Sequence, residues 1–156
     1  STPPAPAARS HRATPAPGVL EAITDADLVI LPPSNPVVSV GTILAVPGVR
    51  DALAKTAAPV IGVSGIVGND HVRGMARQLL GTIGVEVSAA GVAEHYGARN
   101  GEHGGVIDGW LVDTVDEPLV PRVEAAGIRC RAVPLMMTDH DATADMVVAA
   151  LDLAGL

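Results

Sequence analysis

Short apolar runs that alternate with helical segments constrain the fold of this chain more than any other feature of its sequence. Three such runs occur, at residues 28–31, 59–63 and 109–112, residues 128–133 are predicted to be a fourth strand, and each of the four is followed by a proline or a short polar residue. Strands of this kind, separated by helices, are typical of a parallel sheet. We therefore predict an α/β fold: a Rossmann-like parallel sheet with helices on both faces.

The composition of the core supports the same architecture. Hydrophobic residues make up 48% of the chain but aromatic residues only 1%, and Trp110 and Tyr96 are the only two. The core must therefore consist mainly of Ala, Val, Ile and Leu. Small and branched side chains suit parallel strands that are buried on both faces.

The helices are predicted from apolar spacing and from the residues that start and end them. Six segments qualify: residues 19–23, residues 47–53 after Pro47, residues 75–83 before Gly84, residues 89–96 between Ser88 and Gly97, residues 118–126 before Gly127, and a last helix that starts near Asp139 and Asp141.

The first 17 residues differ from the rest of the chain. They contain five prolines and no acidic residue. Proline is unsuited to the interior of helices and sheets, so we predict a flexible, Pro-rich arm at residues 1–17. The folded domain is expected to span residues 18–156.

Charge and cysteine content exclude several classes of function. The net charge is −7, and no basic stripe with interleaved aromatic residues is present, so nucleic acid is not an expected partner. Cys130 is the only cysteine, which rules out an intrachain disulfide and fits a reducing compartment such as the cytoplasm. No apolar run approaches the ~18 residues of a membrane span, so no membrane partner is expected.

Ligands of open α/β sheets bind beyond the carboxyl ends of the strands. After the first predicted strand, Ser34 and Asn35 lie between two prolines, and Ser39 follows close behind. Such a loop can hold a phosphate or the edge of a nucleobase. It can equally be a structural turn, because Asn, Ser and Pro are common turn residues.

The loop after the second predicted strand is similarly ambiguous. Ser64, Gly65 and Gly68 allow close backbone approach, and Arg73 carries a charge that can neutralise phosphate. The segment matches neither the phosphate-loop pattern nor the dinucleotide fingerprint. A binding loop and a plain connection therefore both remain open.

The acidic residues and histidines do not form a convincing metal site. Asp113 and Asp116 can hold a cation or cap the helix predicted to begin at Pro118, and we favour capping. Asp139 and Asp141 read as the acidic start of the last helix. No histidine or cysteine pair has zinc-ligand spacing, and Cys130 is predicted to be a small buried hydrophobe. We assign no metal ligand.

Several segments together resemble one family, the 2-phospho-L-lactate transferases of coenzyme F-420 biosynthesis. The segments are residues 33–44, 58–68, 72–74, 95–97, 108–113 and 134–139, and they follow one another in the family's order. The resemblance runs from about Thr14 to the end of the chain. The Ser-Asn-Pro segment at residues 34–36 is its most specific part.

The resemblance implies a transferase and its ligands. The donor is expected to be phospholactate or phosphoenolpyruvate activated by guanosine diphosphate, and the acceptor is the deazaflavin Fo, with release of GMP. Magnesium is the implied cofactor, and a homodimer is compatible with the family. On this analogy the residues that line the guanosine nucleotide are Ser34, Asn35, Pro36, Ser39, Ser64, Gly65 and Arg73. No residue is assigned as a catalytic base.

One part of the family pattern is not found. The family carries a glycine-rich phosphate loop at its amino terminus, with acidic residues for the metal and the deazaflavin pocket, and residues 1–17 have neither. We therefore expect the chain to be a carboxyl-terminal part, incomplete without an amino-terminal half and inactive alone. The alternative is a nucleotide-sugar-binding regulatory protein of the same superfamily. The choice between a lactyl and an enolpyruvyl donor stays open.

Overall fold

The fold is a four-stranded parallel sheet with helices on both faces. The computed structural model describes residues 13–68 and 74–156, with side chains from Arg77 onwards in the second range. The elements in chain order are α1 (Val19–Thr24), β1 (Val29–Leu31), α2 (Val40–Leu44), α3 (Val49–Lys55), β2 (Val60–Val63), α4 (Gly74–Thr82), α5 (Ala89–Tyr96), β3 (Gly109–Val112), a 3₁₀ helix (Thr114–Leu119), α6 (Val120–Ala125), β4 (Arg129–Ala132) and α7 (His140–Ala154).

The strands follow one another across the sheet in the order β1-β2-β3-β4. All neighbours are parallel, with Val29 opposite Val60, Gly62 opposite Trp110 and Trp110 opposite Cys130. The helical connections pack into one hydrophobic cluster through Leu53, Val92 and Val123, so they share one face of the sheet. A constant crossover hand produces this arrangement when strands are added in sequence. The predicted α/β, Rossmann-like class is confirmed.

The opposite face of the sheet is covered by α7. Its Met146, Ala149, Ala150 and Leu153 pack with Ile61, Val63 and Leu111 in a second hydrophobic cluster. Side chains of neighbouring residues in β2 point to opposite faces, which is why Val60 belongs to the first cluster and Ile61 to the second. The prediction of helices on both faces is confirmed, although α7 alone forms the second layer in the described part of the chain.

Several predicted helix ends are confirmed in detail. The Ser88 hydroxyl accepts a hydrogen bond from the Gly91 amide at the start of α5, and Asp139 does the same for Ala142 at the start of α7. Gly84 follows α4 with a φ of 71°, a left-handed conformation that glycine adopts without strain. No helix in the described ranges has the length and apolar character needed to traverse a lipid bilayer.

The helix predicted over residues 118–126 begins earlier and changes type. Thr114–Leu119 forms a 3₁₀ helix, and α6 covers only Val120–Ala125. The helical segment begins directly after Asp113, whose side chain accepts from the Val115 amide, so the start at Pro118 was wrong. Residues 1–12 of the predicted arm lie outside the described residues.

Candidate functional site

The carboxyl ends of the four strands share one edge of the sheet, because all four strands are parallel. The first two loops at this edge follow Leu31 and Val63, and they hold most of the predicted nucleotide-binding residues. Arg73, the only predicted site residue with a charge, lies outside the described residues.

The loops after β1 and β2 touch each other at Ser34 and Gly65. A Cβ atom built on Gly65 would lie 3.3 Å from the Ser34 backbone nitrogen and 3.4 Å from its backbone oxygen. A larger residue at position 65 would therefore press against the backbone of the first loop. The structure thus brings together the two loop tips on which the predicted site depends, while their role in binding stays a prediction.

Asn35 shapes the first loop through its own side chain. Its Oδ1 accepts from the backbone amides of Val37 at 2.9 Å and Val38 at 3.0 Å. Its backbone oxygen accepts from Ser39 at 3.2 Å and Val40 at 3.0 Å. These four bonds hold a tight turn that leads into α2. The interpretation as a structural turn is therefore confirmed for the acceptor atoms of Asn35.

Other polar atoms of the first loop are not used in the fold. The hydroxyls of Ser34 and Ser39 and the Nδ2 group of Asn35 make no hydrogen bond within the described part of the chain. Ser34 is exposed, Asn35 and Ser39 are partly exposed, and Pro36 is buried. A rigid turn thus presents two hydroxyls and one amide as donors, and Pro36 contributes to its rigidity from inside.

Ser64 uses its hydroxyl within its own loop. It is 2% exposed. Its hydroxyl donates to the Ile66 oxygen at 2.8 Å and accepts from the Ile66 amide at 3.1 Å. These two bonds shape the turn after β2, and the place of Ser64 beside the guanosine nucleotide stays a prediction.

Asp113 and Asp116 connect the loops of this edge. Asp113 accepts from the Val115 amide through Oδ1 at 3.1 Å and from the Leu135 amide, in the loop after β4, through Oδ2 at 2.9 Å. Asp116 accepts from the Gly68 amide, in the loop after β2, at 2.9 Å. Capping is confirmed for Asp113, although the helix that it caps begins at Thr114 and not at Pro118. It was wrong for Asp116, which lies inside the 3₁₀ helix and ties it to a neighbouring loop.

The carboxylates of Asp113 and Asp116 are part of the hydrogen-bond network of the fold, and the magnesium that the resemblance implies is not assigned to them. Both oxygens of Asp113 and Oδ2 of Asp116 already accept hydrogen bonds from donors of the fold. Among the described residues, no group of three or more Asp, Glu, His or Cys side chains is placed to hold a metal ion.

A cavity of about 250 Å³ adjoins the first loop. Among the described residues, Ser34 and Ser39 are its only polar lining residues. The other lining residues come from α1, β1, α2 and α3, and they are Ile23, Val29, Ile30, Leu31, Pro32, Val40, Ile43, Leu44, Val49 and Leu53. No sequence motif signals this cavity, because its walls come from four separate elements.

Comparison with known proteins gives a family match over most of the chain. Residues 6–150 match the family model described as 2-phospho-L-lactate transferase CofD. Proteins named phosphoenolpyruvate transferase from Streptomyces griseus and Streptomyces coelicolor are 63% and 62% identical over 145 residues. The protein of that name from Streptomyces avermitilis is 66% identical over the same length.

The alignments cover very different shares of this chain and of the three relatives. The three alignments cover 93% of this chain but 44% of each relative, so the chain spans less than half the length of the relatives it matches. The matched family model covers more than half of this chain, and the three relatives are 63%, 62% and 66% identical to it. The chain therefore belongs to the 2-phospho-L-lactate transferase CofD family.

Proposed function

We propose that the full-length protein containing this chain is a cytoplasmic transferase of coenzyme F-420 biosynthesis. It moves a phospholactyl or phosphoenolpyruvyl group from a guanosine diphosphate-activated donor to the deazaflavin Fo and releases GMP. Two findings support this proposal: the family match over residues 6–150, and the name phosphoenolpyruvate transferase that the three relatives cited above carry.

The observation that carries the site proposal is the contact between Ser34 and Gly65. It makes one continuous surface of two loops, and the donor groups of Ser34, Asn35 and Ser39 remain free on the first of them. Donors that are held rigidly before the ligand arrives bind phosphate oxygens at low entropic cost. We assign this surface to the guanosine diphosphate part of the donor. Arg73 is proposed to act there as well, on the family resemblance.

The proposed reaction is a substitution at phosphorus. A ribityl hydroxyl oxygen of Fo forms a bond to the phosphorus that carries the three-carbon group, and the bond from that phosphorus to the GMP oxygen breaks. The hydroxyl proton leaves to solvent or to a base outside this chain's described residues. Magnesium, held by residues outside this chain, would neutralise charge on the phosphates. This chain's proposed share is to position the nucleotide.

The experiment is a binding and turnover test on the full-length protein. GDP and Fo are titrated separately by calorimetry, and product formation is followed by mass spectrometry of the Fo adduct and of GMP. We expect both ligands to bind and the adduct to form, and this chain alone to form none. Binding of a guanosine nucleotide or a nucleotide sugar without any binding of Fo would favour the regulatory protein over the transferase.

A double substitution tests the assignment of the nucleotide site separately from the transfer reaction. Ser34→Ala together with Ser39→Ala removes two hydroxyl donors, and each hydrogen bond to a charged group is worth about 1.5–3 kcal/mol. We expect GDP affinity to fall by about a hundredfold or more while Fo affinity is unchanged. Thr24→Ala is the matched control, because that hydroxyl bonds only within its own helix, to Leu20 and Glu21. Equal effects of the control and the double variant would refute the assignment.

A further inference from the structure

The buried carboxylate of Asp113 accepts more hydrogen bonds than a helix cap requires. Its Oδ1 accepts from the Val115 amide at 3.1 Å and from the Thr114 hydroxyl at 3.3 Å, at the start of the 3₁₀ helix. Its Oδ2 accepts from the Leu135 amide at 2.9 Å, in the loop after β4. The two oxygens are therefore occupied by donors from two different segments of the chain.

The loop after β4 gives this carboxylate a fixed support. Leu135 is itself buried, in the hydrophobic cluster between the sheet and α7 that also contains Val63 and Met146. Because such clusters are closely packed, the Leu135 amide cannot shift without disturbing them. The Asp113 side chain is thus held at one oxygen by an immobile amide, and with the other oxygen it fixes the first turn of the 3₁₀ helix.

The 3₁₀ helix connects this anchor to the loop after β2. The Asp116 amide donates to the backbone oxygen of Asp113 at 2.9 Å, so Asp116 lies one turn after the cap. Its carboxylate accepts from the Gly68 amide at 2.9 Å. At the other end of the same stretch, the Ser64 amide donates to the Leu111 oxygen of β3 at 2.9 Å. The stretch is therefore held at both ends by β3 and by the helical segment that follows it.

The stretch that these bonds hold is the one that meets the first loop. Gly65 lies between the two held ends, and it contacts the Ser34 backbone. Ser34 belongs to the surface that we assign to the nucleotide. A chain of direct contacts therefore runs from Asp113 to that surface, although no hydrogen bond joins Asp113 to a described residue of it.

We propose that Asp113 is a positioning residue of the nucleotide site. It fixes the 3₁₀ helix, through which Asp116 holds Gly68 and keeps the loop after β2 in contact with Ser34. The role requires a carboxylate, because two acceptor oxygens face two backbone amides, whereas an amide side chain offers one acceptor and one donor group. This inference rests on the proposed function, since it requires guanosine diphosphate to bind at Ser34.

Asp113→Asn in the full-length protein tests the role with little change of shape. The new side chain can accept from the Val115 amide or from the Leu135 amide but not from both, so one tie is lost. We expect the affinity for GDP, measured by calorimetry, to fall roughly fivefold, with Fo affinity unchanged. The KM of the activated donor should rise in proportion while kcat stays the same. Amide hydrogen exchange at Gly68 should become faster although Asp116 is intact.

A double-mutant cycle tests whether the effect passes through Asp116. Asp116→Ala cuts the same path one step later and should lower GDP affinity by a similar factor. If both substitutions act through Gly68, the double variant should bind GDP no more weakly than the weaker single variant. Asp116→Ala also decides the question where Asp113→Asn does not fold. Glu117→Gln is the control for charge: it removes one negative charge from an exposed position of the same 3₁₀ helix and should leave GDP affinity unchanged.

Three results would overturn the inference and leave the proposed function in place. They are unchanged GDP affinity in Asp113→Asn despite faster exchange at Gly68, a loss in Asp116→Ala that is absent or that adds to the other, and an equal loss in Glu117→Gln. The first would reduce Asp113 to a structural cap, and the third would replace positioning by charge. An unsubstituted full-length protein that binds no GDP would instead remove the proposed function, and this inference with it.

Discussion

Gly62 lies directly beneath the indole ring of Trp110, its partner across β2 and β3. A Cβ atom at Gly62 would lie 2.5 Å from Cε3 of that ring. Trp110 is 1% exposed, and its Nε1 donates to the Ala89 oxygen at 3.1 Å, which holds the ring in place from the far side. The only tryptophan of the chain therefore requires a glycine on the neighbouring strand.

Gly62→Ala should consequently destabilise the fold by about 2–3 kcal/mol through overpacking. The measurement is the free energy of unfolding by urea, followed by Trp110 fluorescence. Gly81→Ala is the control, because a Cβ atom there meets nothing within 4 Å and alanine favours the helix. A loss at position 62 no greater than at position 81 would show that the ring has room to move.

Cys130 is expected to be unreactive in the folded chain. Burial, with a further contribution from the Glu124 charge, raises the pKa of its thiol from 9.0 to about 12. Only the thiolate reacts with alkylating agents, so the raised pKa leaves very little of the reactive form near pH 8. Iodoacetamide labelling followed by mass spectrometry should be slow in buffer and fast in urea. Equally fast labelling in both would contradict the shift.

At the scale of secondary-structure elements, Asp116 joins the 3₁₀ helix to the loop after β2. Asp116→Ala removes the acceptor of the Gly68 amide, at a cost of about 1–2 kcal/mol for a buried bond. We expect faster hydrogen exchange at Gly68, with Ser64 unaffected because its amide donates to the Leu111 oxygen at 2.9 Å.

Two further substitutions complete the test of that tie. Asp116→Asn keeps an acceptor oxygen and should restore most of the protection at Gly68. Glu117→Ala removes the exposed acid next to it and should change nothing. Protection of the Gly68 amide that survives in Asp116→Ala would mean that the loop is held by other contacts.

The elements that the sequence predicts well are those whose signals are local. Ser88 and Asp139 bond to amides three residues ahead, so their spacing to the helix alone identifies them. The tie from Asp116 to Gly68 spans 48 residues, and no local pattern reports it. The same is true of the contact between Ser34 and Gly65. The parallel strands predict that Ser34 and Gly65 lie at the same edge of the sheet, but not that they touch. The bonds of the Ser64 hydroxyl to Ile66 depend on a loop geometry that no local sequence pattern reports.

At the scale of the whole molecule, Arg99 connects segments that are far apart in the chain. Its guanidinium binds both carboxylate oxygens of Asp108, at 3.1 and 2.8 Å. It also donates to the backbone oxygens of Leu53, Thr56 and Ala58, at 3.2, 2.9 and 2.9 Å. The side chains of Arg99 and Asp108 are 12% and 13% exposed, so the pair is largely shielded from solvent.

Removing one member of this pair should destabilise the entire domain. Arg99→Ala leaves the largely shielded Asp108 carboxylate without its charged partner, with only the Val60 amide still donating to it at 2.8 Å. Three backbone oxygens also lose this donor, and breaking a buried pair costs about 3–5 kcal/mol. Arg99→Lys keeps the charge but offers a single ammonium group in place of a planar fork, so we expect it to recover only part of the loss. Lys55→Ala, which breaks the exposed pair with Asp51, should cost less than about 0.5 kcal/mol. The measurement is urea unfolding followed by circular dichroism, because the effect should appear as one cooperative shift of the whole transition. A change confined to the loop around Arg99 would limit this pair to a local role.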